Sequence, residues 1–313
     1  SGLSFLDLFI VFEEMGATLL PSPFFTSAVL SGMLISEAGN EGLKDEYLPF
    51  IIRGDKILTT ALMSEDGDYD WDDPGIEAVE GPGGTYRIHG IRLLVPYAHV
   101  ADEILLCANL KRSSAEGPTI FKINRHAKTL TLTPLATLTG EKKFAVSFEN
   151  TAARKENIVG APGKGGAYLR KIWPKAIVLK CGEMLGGLRR VLDMTIDYVK
   201  ARQQFGRPIG SFQIIQHYCA DMATYLETTR LIAYQAASLC SGDDPCDKEI
   251  AMAKAWCNEA YKKSTWIAHQ IHGAMGFTEE YDLHLFYKHA KEAELTFGDS
   301  RFHRSLVADK MGI

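Results

Sequence analysis

Two short stretches carry side chains suited to chemistry. The first is Ala201-Arg202-Gln203-Gln204-Phe205-Gly206-Arg207-Pro208-Ile209, followed by Phe212-Gln213. An amphipathic pattern brings Arg202 into its last turn, and Gly206 and Pro208 then break the chain sharply. Such a corner projects a guanidinium and an aromatic ring together, and the planar guanidinium fork suits a pyrophosphate. The plainer role, favoured by spacing alone, is an arginine complementing a helix C-terminus. The second stretch, Gln270-Ile271-His272-Gly273-Ala274-Met275-Gly276-Phe277, ends another helical pattern with small residues. A ligand or a second backbone can approach closely there, although a simple glycine cap reads the same way. His269 and His272 lie three apart, a spacing that two metal ligands on one helix share. There is no HExxH arrangement, so histidines satisfied within their helix are expected and no metal.

The more familiar site sequences are missing: there is no GxGxxG after a strand, no GxxxxGK[ST] and no GxSxG. Across 313 residues, Lys+Arg total 34 and Asp+Glu 39, a net charge of −5. That mild acidity argues against nucleic acid as the main partner. The pairs Lys142-Lys143, Arg189-Arg190 and Lys262-Lys263 read as solvated surface. No apolar run is long enough for a membrane span, and no basic segment leads into an apolar core as in a secretory signal. Six scattered cysteines with no CxxC pair suit buried free thiols in a reducing cytoplasm.

Three textures position these residues. From Leu3 to about Phe50, apolar residues recur at helical spacing (Phe5, Leu8, Phe9, Phe12), with Gly16 closing the first helix. Pro49 and Arg53-Gly54-Asp55 end the region. From Lys56 to about Lys164 the period becomes two. The runs 57–63, 91–95, 103–108, 119–123, 128–132 and 143–148 read as strands, separated by turns such as Gly81-Pro82-Gly83-Gly84. Strands in series without long helices between them predict an antiparallel barrel or sandwich. From about Gly166 helices return, with faces such as Leu185, Leu188, Leu192 and Ile196, the mark of a bundle. The predicted domains are 1–55, helical and incomplete at its start, 56–164, a β domain, and 165–313, a four-helix bundle.

Taken together, the two stretches and the β module before them resemble the acyl-CoA dehydrogenase family, over essentially the whole chain. Glu149-Asn150-Thr151 and Asn157-Ile158-Val159-Gly160 are similar to the family's exit from its β domain, and the tail Gln270–Ala308 aligns without a gap. The resemblance implies an α+β fold of N-terminal helices, a central β domain and a C-terminal four-helix bundle. It also implies FAD as cofactor, an acyl-CoA substrate and an electron-transfer acceptor. In such proteins a glutamate removes the α-proton of the thioester and FAD accepts the β-hydride. A neighbouring subunit reaches across to the adenosine pyrophosphate. By resemblance Arg202, Gln204, Phe205, Phe212 and Gln213, with Gln270, Gly273 and Ala274, match those cross-subunit contacts.

Other positions depart from the pattern. The family's flavin-ring motif, Thr-Glu-Pro-x-Ala-Gly-Ser-Asp, stands here as Ser64-Glu65-Asp66-Gly67-Asp68-Tyr69, within an acidic run that includes Trp71. Trp-Ile-Thr-Asn stands as Leu94-Val95-Pro96-Tyr97, and Pro96 offers neither an N–H nor a hydroxyl. The usual base in Tyr-Glu-Gly-Thr is replaced in Thr296-Phe297-Gly298-Asp299, and phenylalanine takes no proton. The alternative base position falls at Ala176, beside Ile177. Asp299 is a weak substitute, while Glu292 and Glu294 read as solvated. The expectation is a non-catalytic subunit that completes FAD bound to a related catalytic chain, in a heterotetramer. Alternatives are a self-sufficient homo-oligomer using Asp299 or another carboxylate, and a non-enzymatic binding or scaffold protein on the same fold.

Overall fold

The computed structural model describes residues 2–67, 69, 71–111, 115, 117–242 and 246–313. The chain divides into two compact units: Ser1–Leu20 with Pro174–Ile313, and Pro21–Trp173.

In the unit Pro21–Trp173, a π-helical segment Phe25–Ser31 leads into helix α2 (Gly32–Ala38) and helix α3 (Glu41–Arg53). Asn40 caps α3 through the Leu43 N–H at 2.9 Å, and Gly54 ends it at φ 77°. Pro49 lies inside α3 rather than ending it.

The strands are β1 (Leu58–Ala61), β2 (Glu77–Gly81), β3 (Thr85–Pro96), β4 (Glu103–Lys111), β5 (Pro118–Asn124), β6 (Leu130–Leu135), β7 (Lys143–Arg154) and β8 (Ile158–Val159). They form one sheet, ordered β6-β7-β3-β2-β4-β5-β8, with β1 also on β4. Most pairs are antiparallel, as the sequence predicts. However, β1 and β2 both run parallel to β4, at Leu58↔Glu103 and Glu77↔Asn109, so each covers one half of the same edge. The two halves become available because the acidic stretch between β1 and β2 breaks what would otherwise be one strand.

Strand β4 is buried on both faces, which explains its unbroken apolar run. Ile104, Leu106 and Ala108 join Ile88, Phe121, Val146 and Phe148 in one core. Leu105 and Cys107 face Leu34, Ile35, Tyr47, Leu169 and Ile172 in the other. Strands β3 and β7 pair along most of their length, with irregularities at Ile88/Gly90 and Arg92/Val95. Leu94, in the second irregularity, has φ 50°. A non-glycine residue there costs about 1–2 kcal/mol.

The other unit is helical. It contains α1 (Phe5–Thr18), the part of α4 (Gly165–Ala201) from Pro174 onward, α5 (Gln213–Leu239), α6 (Asp247–His272), α7 (Leu283–Leu295) and α8 (Ser300–Met311). Ser4 and Asp7 form a reciprocal capping box at the start of α1, with Ser4 N donating to Asp7 at 2.7 Å. Gly16 does not close α1, which runs to Thr18 with Leu19 as its left-handed cap. Instead Gly16 lies against the Glu183 backbone, and Gly186 against that of Glu13. Two helices can approach this closely only where the residue facing the neighbouring backbone carries no Cβ. Arg189 then bridges Glu13 at 3.0 Å and Glu14 at 2.9 Å, so this basic position is paired, not merely solvated.

Helix α6 lies at the centre, packed against α5, α7 and α8, which is why small residues such as Ala251, Ala253, Ala260 and Ala268 are buried along it. Glu294 is buried as well, against the sequence expectation. Lys262 reaches it at 2.6 Å and Lys291 at 3.0 Å. Among the described residues, no helix is long and apolar enough to cross a membrane.

Candidate functional site

The corner after α4 is a tight hairpin. Strands β9 (Gln203–Gln204) and β10 (Arg207–Pro208) pair across Phe205 and Gly206, whose φ values are 52° and 78°. Two consecutive positive φ angles match the twist of a two-residue hairpin. Arg202 sits just past the last helical residue. Its N–H donates to Tyr198 O at 2.8 Å, and its carbonyl accepts from Ile209 N at 2.8 Å. Phe205 is 91% exposed and meets the Phe212 ring edge-on at 6.0 Å. The Arg207 guanidinium lies 4.2 Å from the centre of Phe212. Gln204 and Gln213 are exposed, Gln213 opening α5. Neither Arg202 nor Arg207 has a carboxylate within ion-pair range among the described residues. The corner therefore presents two cations beside two aromatic rings, a surface suited to a pyrophosphate.

Gln270, Gly273 and Ala274 lie exposed at the end of α6, where Gly273 turns the chain at φ 59° into a short 3-10 segment, Gly273–Phe277. A cleft of about 280 Å³ opens here between Trp266, Gln270, Gly273, Phe277 and Tyr287, with His269 as a further lining residue. His269 Nδ1 bonds Thr265 O at 2.8 Å, and His272 Nδ1 bonds Ala268 O at 2.7 Å. Each histidine is thus tied to its own helix. No group of three or more metal-type ligands occurs among the described residues. His272 Nε2 faces the Tyr281 hydroxyl at 3.1 Å, and burial lowers its pKa.

Tyr198 joins the two stretches. Its ring stacks on His272 at 4.1 Å, and its hydroxyl donates to His272 O at 3.4 Å. Its own carbonyl holds Arg202, so the corner and the end of α6 share one end of the helical unit. No motif marks Tyr198 in the sequence; it shows only as a helical residue four positions before Arg202.

The segment after α7 holds Phe297 and Asp299. Phe297 is 6% exposed at φ 63°, and Gly298 follows at φ 101°. Asp299 accepts the Phe302 N–H at 2.8 Å as the cap of α8. A wholly buried lysine fixes the segment from behind. Lys254 Nζ bonds Asn258 Oδ1 at 2.6 Å, Ala293 O at 2.9 Å and Gly298 O at 3.3 Å. Its desolvation lowers the pKa to about 8. His303, a buried residue of α8, bonds Phe297 O through Nε2 at 2.9 Å, and burial lowers its pKa to about 4. Sequence reasoning missed both, because a lone Lys and a lone His on helices give no signal until the tail folds over them. Ala176 and Ile177, at the alternative base position, are buried and unable to titrate.

In the β unit, Ser64–Gly67 and Tyr69 lie between β1 and β2, while Asp68 and Asp70 are outside the described residues. Pro96 ends β3 opposite Lys143, and Tyr97 N donates to Lys142 O at 2.7 Å.

The model for the acyl-CoA dehydrogenase C-terminal domain matches residues 178–312. The acyl-CoA dehydrogenase FadE27 of Mycobacterium tuberculosis is 30% identical over 307 residues, covering 95% of this chain and 78% of that protein. The crystal structure of the ChsE4-ChsE5 complex from Mycobacterium tuberculosis matches with a TM-score of 0.88 at 27% identity, covering 99% of this chain and 81% of that one. A solved FAD-dependent dehydrogenase matches with a TM-score of 0.92 at 26% identity, covering 100% and 86%. In chain order, N-terminal helices, a central mixed sheet and a C-terminal helical region give the fold of these flavin-dependent oxidoreductases. The chain belongs to the acyl-CoA dehydrogenase family.

Proposed function

We propose that this chain is the non-catalytic subunit of a heteromeric acyl-CoA dehydrogenase. It holds the dinucleotide tail of FAD bound mainly by a related partner that supplies the base. The observation that carries the reading is a division within the chain. The corner at Arg202 and Arg207 is exposed and free of carboxylates, while the position of the base is a buried phenyl ring.

FAD, when bound, supplies the hydride acceptor for α,β-dehydrogenation of an acyl-CoA thioester, with an electron-transfer acceptor downstream. Its tail fits this chain better than its ring. Arg202, with Gln204, Phe205, Phe212 and Gln213, offers charge-assisted donors and ring faces, and Gln270, Gly273 and Ala274 add an amide and a close backbone. On the strand matched to the ring, Pro96 has no N–H to offer. The ChsE4-ChsE5 structure, a complex of two differently named chains, is in keeping with a two-chain assembly.

Asp299, the named candidate for the base of a self-sufficient enzyme, is engaged in capping α8. The test is purification with and without the partner chain. Alone, the chain is expected colourless; the complex is expected yellow, with about half the FAD of a homotetramer that fills every site. Arg202→Ala is expected to lower the flavin content of the complex without changing how the lone chain melts. Full flavin occupancy in the lone chain would overturn the proposal.

A further inference from the structure

The end of α6 holds a buried acceptor without a partner among the described residues. His269 is 6% exposed, and its Nδ1 lies 2.8 Å from Thr265 O. A carbonyl oxygen only accepts, so Nδ1 carries the proton, and in the neutral ring Nε2 keeps a lone pair. No hydrogen-bond partner reaches that Nε2 among the described residues. A buried acceptor left this way is costly. His272, one turn further on, differs: it uses both nitrogens, one on Ala268 O and one on the Tyr281 hydroxyl.

Aromatic rings flank the imidazole. Phe277 lies 4.8 Å from its centre and Tyr287 5.2 Å, both inclined to it. Because Nδ1 is turned back along α6, the opposite edge of the imidazole is turned toward the cleft that these two rings wall together with Trp266. Trp266 and Phe277 are 60% and 71% exposed, so broad apolar faces stand open there. At Gly273, on the same cleft, no atom lies within 4 Å of where a Cβ would stand, so the backbone is open to approach. A phosphate suits this place poorly, since its oxygens would face the Nε2 lone pair. The matching group is flat, apolar on its faces and carries an N–H on its edge.

We propose that this cleft takes the adenine base of the dinucleotide tail, with the 6-amino group donating to His269 Nε2. The proposal rests on the reading that Gln270 and Gly273, which line the same cleft, hold that tail. It goes further in naming a residue that reads the base, at a position outside those matched to the tail by resemblance. His269 tells an amino edge from a carbonyl edge, because a keto oxygen would set one lone pair against another. Trp266 and Phe277 supply apolar faces that accept any base, so the choice of base lies with the histidine.

Equilibrium dialysis of the flavin-free complex against FAD and against its desamino analogue, with hydrogen in place of the 6-amino group, tests this. The wild type is expected to bind the analogue about tenfold or more weakly. His269→Phe, which keeps a ring and removes the acceptor, is expected to bind the two alike. Trp266→Ala, at an exposed position, is expected to weaken both by about tenfold and to keep their ratio. The wild-type comparison needs no variant, so it decides the matter if His269→Phe does not fold. Equal affinity of the wild type for the two ligands overturns the assignment of the base and leaves the proposed function standing. So does equal affinity joined to loss of the partner from His269→Phe, which puts a partner side chain in the cleft. A complex that takes up no FAD overturns both.

Discussion

Asp299 is where two accounts of this chain separate. If it is only the cap of α8, Asp299→Ala removes one charge-assisted acceptor from the Phe302 N–H and a negative charge from a helix N-terminus. Losing an Asp cap to Ala costs about 0.5–2 kcal/mol, and the charge at the N-terminus accounts for about 0.3–1 kcal/mol. For a chain of this size, about 2–4 °C of melting temperature corresponds to each kcal/mol, so a fall of about 1–8 °C is expected. Asp299→Asn keeps a cap of equal rank and loses only the charge, so its melt is expected within about 4 °C of wild type. Circular dichroism melts of the lone chain measure both. Turnover by the assembled complex, measured in parallel, is expected unchanged in both. A general base would behave otherwise, since removing one costs about 10²–10⁴ in rate. An Asn variant that melts normally yet loses turnover on that scale refutes the reasoning.

Three further outcomes follow from the helical unit. Gly186→Ala places a methyl group into the Glu13 backbone, and a loss of about 1–3 kcal/mol or more is expected in urea unfolding. Lys254→Met leaves the Ala293 and Gly298 carbonyls without their buried donor. The same assay is expected to show a loss of about 1–3 kcal/mol or more, with protease sensitivity rising at residues 296–299. Between about pH 6.5 and pH 4, the unfolded chain takes up a proton at His303 that the buried ring refuses. Stability is therefore expected to fall by about 3 kcal/mol across that range as pH drops, and His303→Leu is expected to flatten this slope.

Periodicity made the order of elements legible. Six of the strands and the long helices stand close to where the apolar spacing placed them, because one-sided burial imposes a period that sequence displays directly. Strand β2 was not legible. Glu77–Gly81 is short and acidic, and it becomes a strand because it pairs along β3 and finds half of the β4 edge open to it. Gly16 reads as a helix end when helices are considered singly, and only the approach of α4 reveals it as a crossing point. The corner at Arg202–Phe212 was visible since glycine, proline and arginine each leave a local mark. Tyr198 and Lys254 were not, since each acts through residues far away in sequence; His303 reaches only six residues back to Phe297 O, but no local motif marks it. Glu294 reads as solvated for the same reason: Lys262, one of the two cations that neutralise it, lies on α6.

The membership of Ser1–Leu20 in the same unit as Pro174–Ile313 has a consequence for synthesis. Helix α1 leaves the ribosome with Phe9 and Phe12 uncovered, yet the α4 surface it crosses is translated more than a hundred residues later. At about 5–20 residues per second, that interval is on the order of ten to thirty seconds. During it the Pro21–Trp173 unit can complete its sheet, whereas the early helix must stay unmated and sticky. Slow codons or scarce chaperones would therefore hurt yield through residues 1–20, and after a nick near Pro21 packing would hold α1 to the rest of its unit.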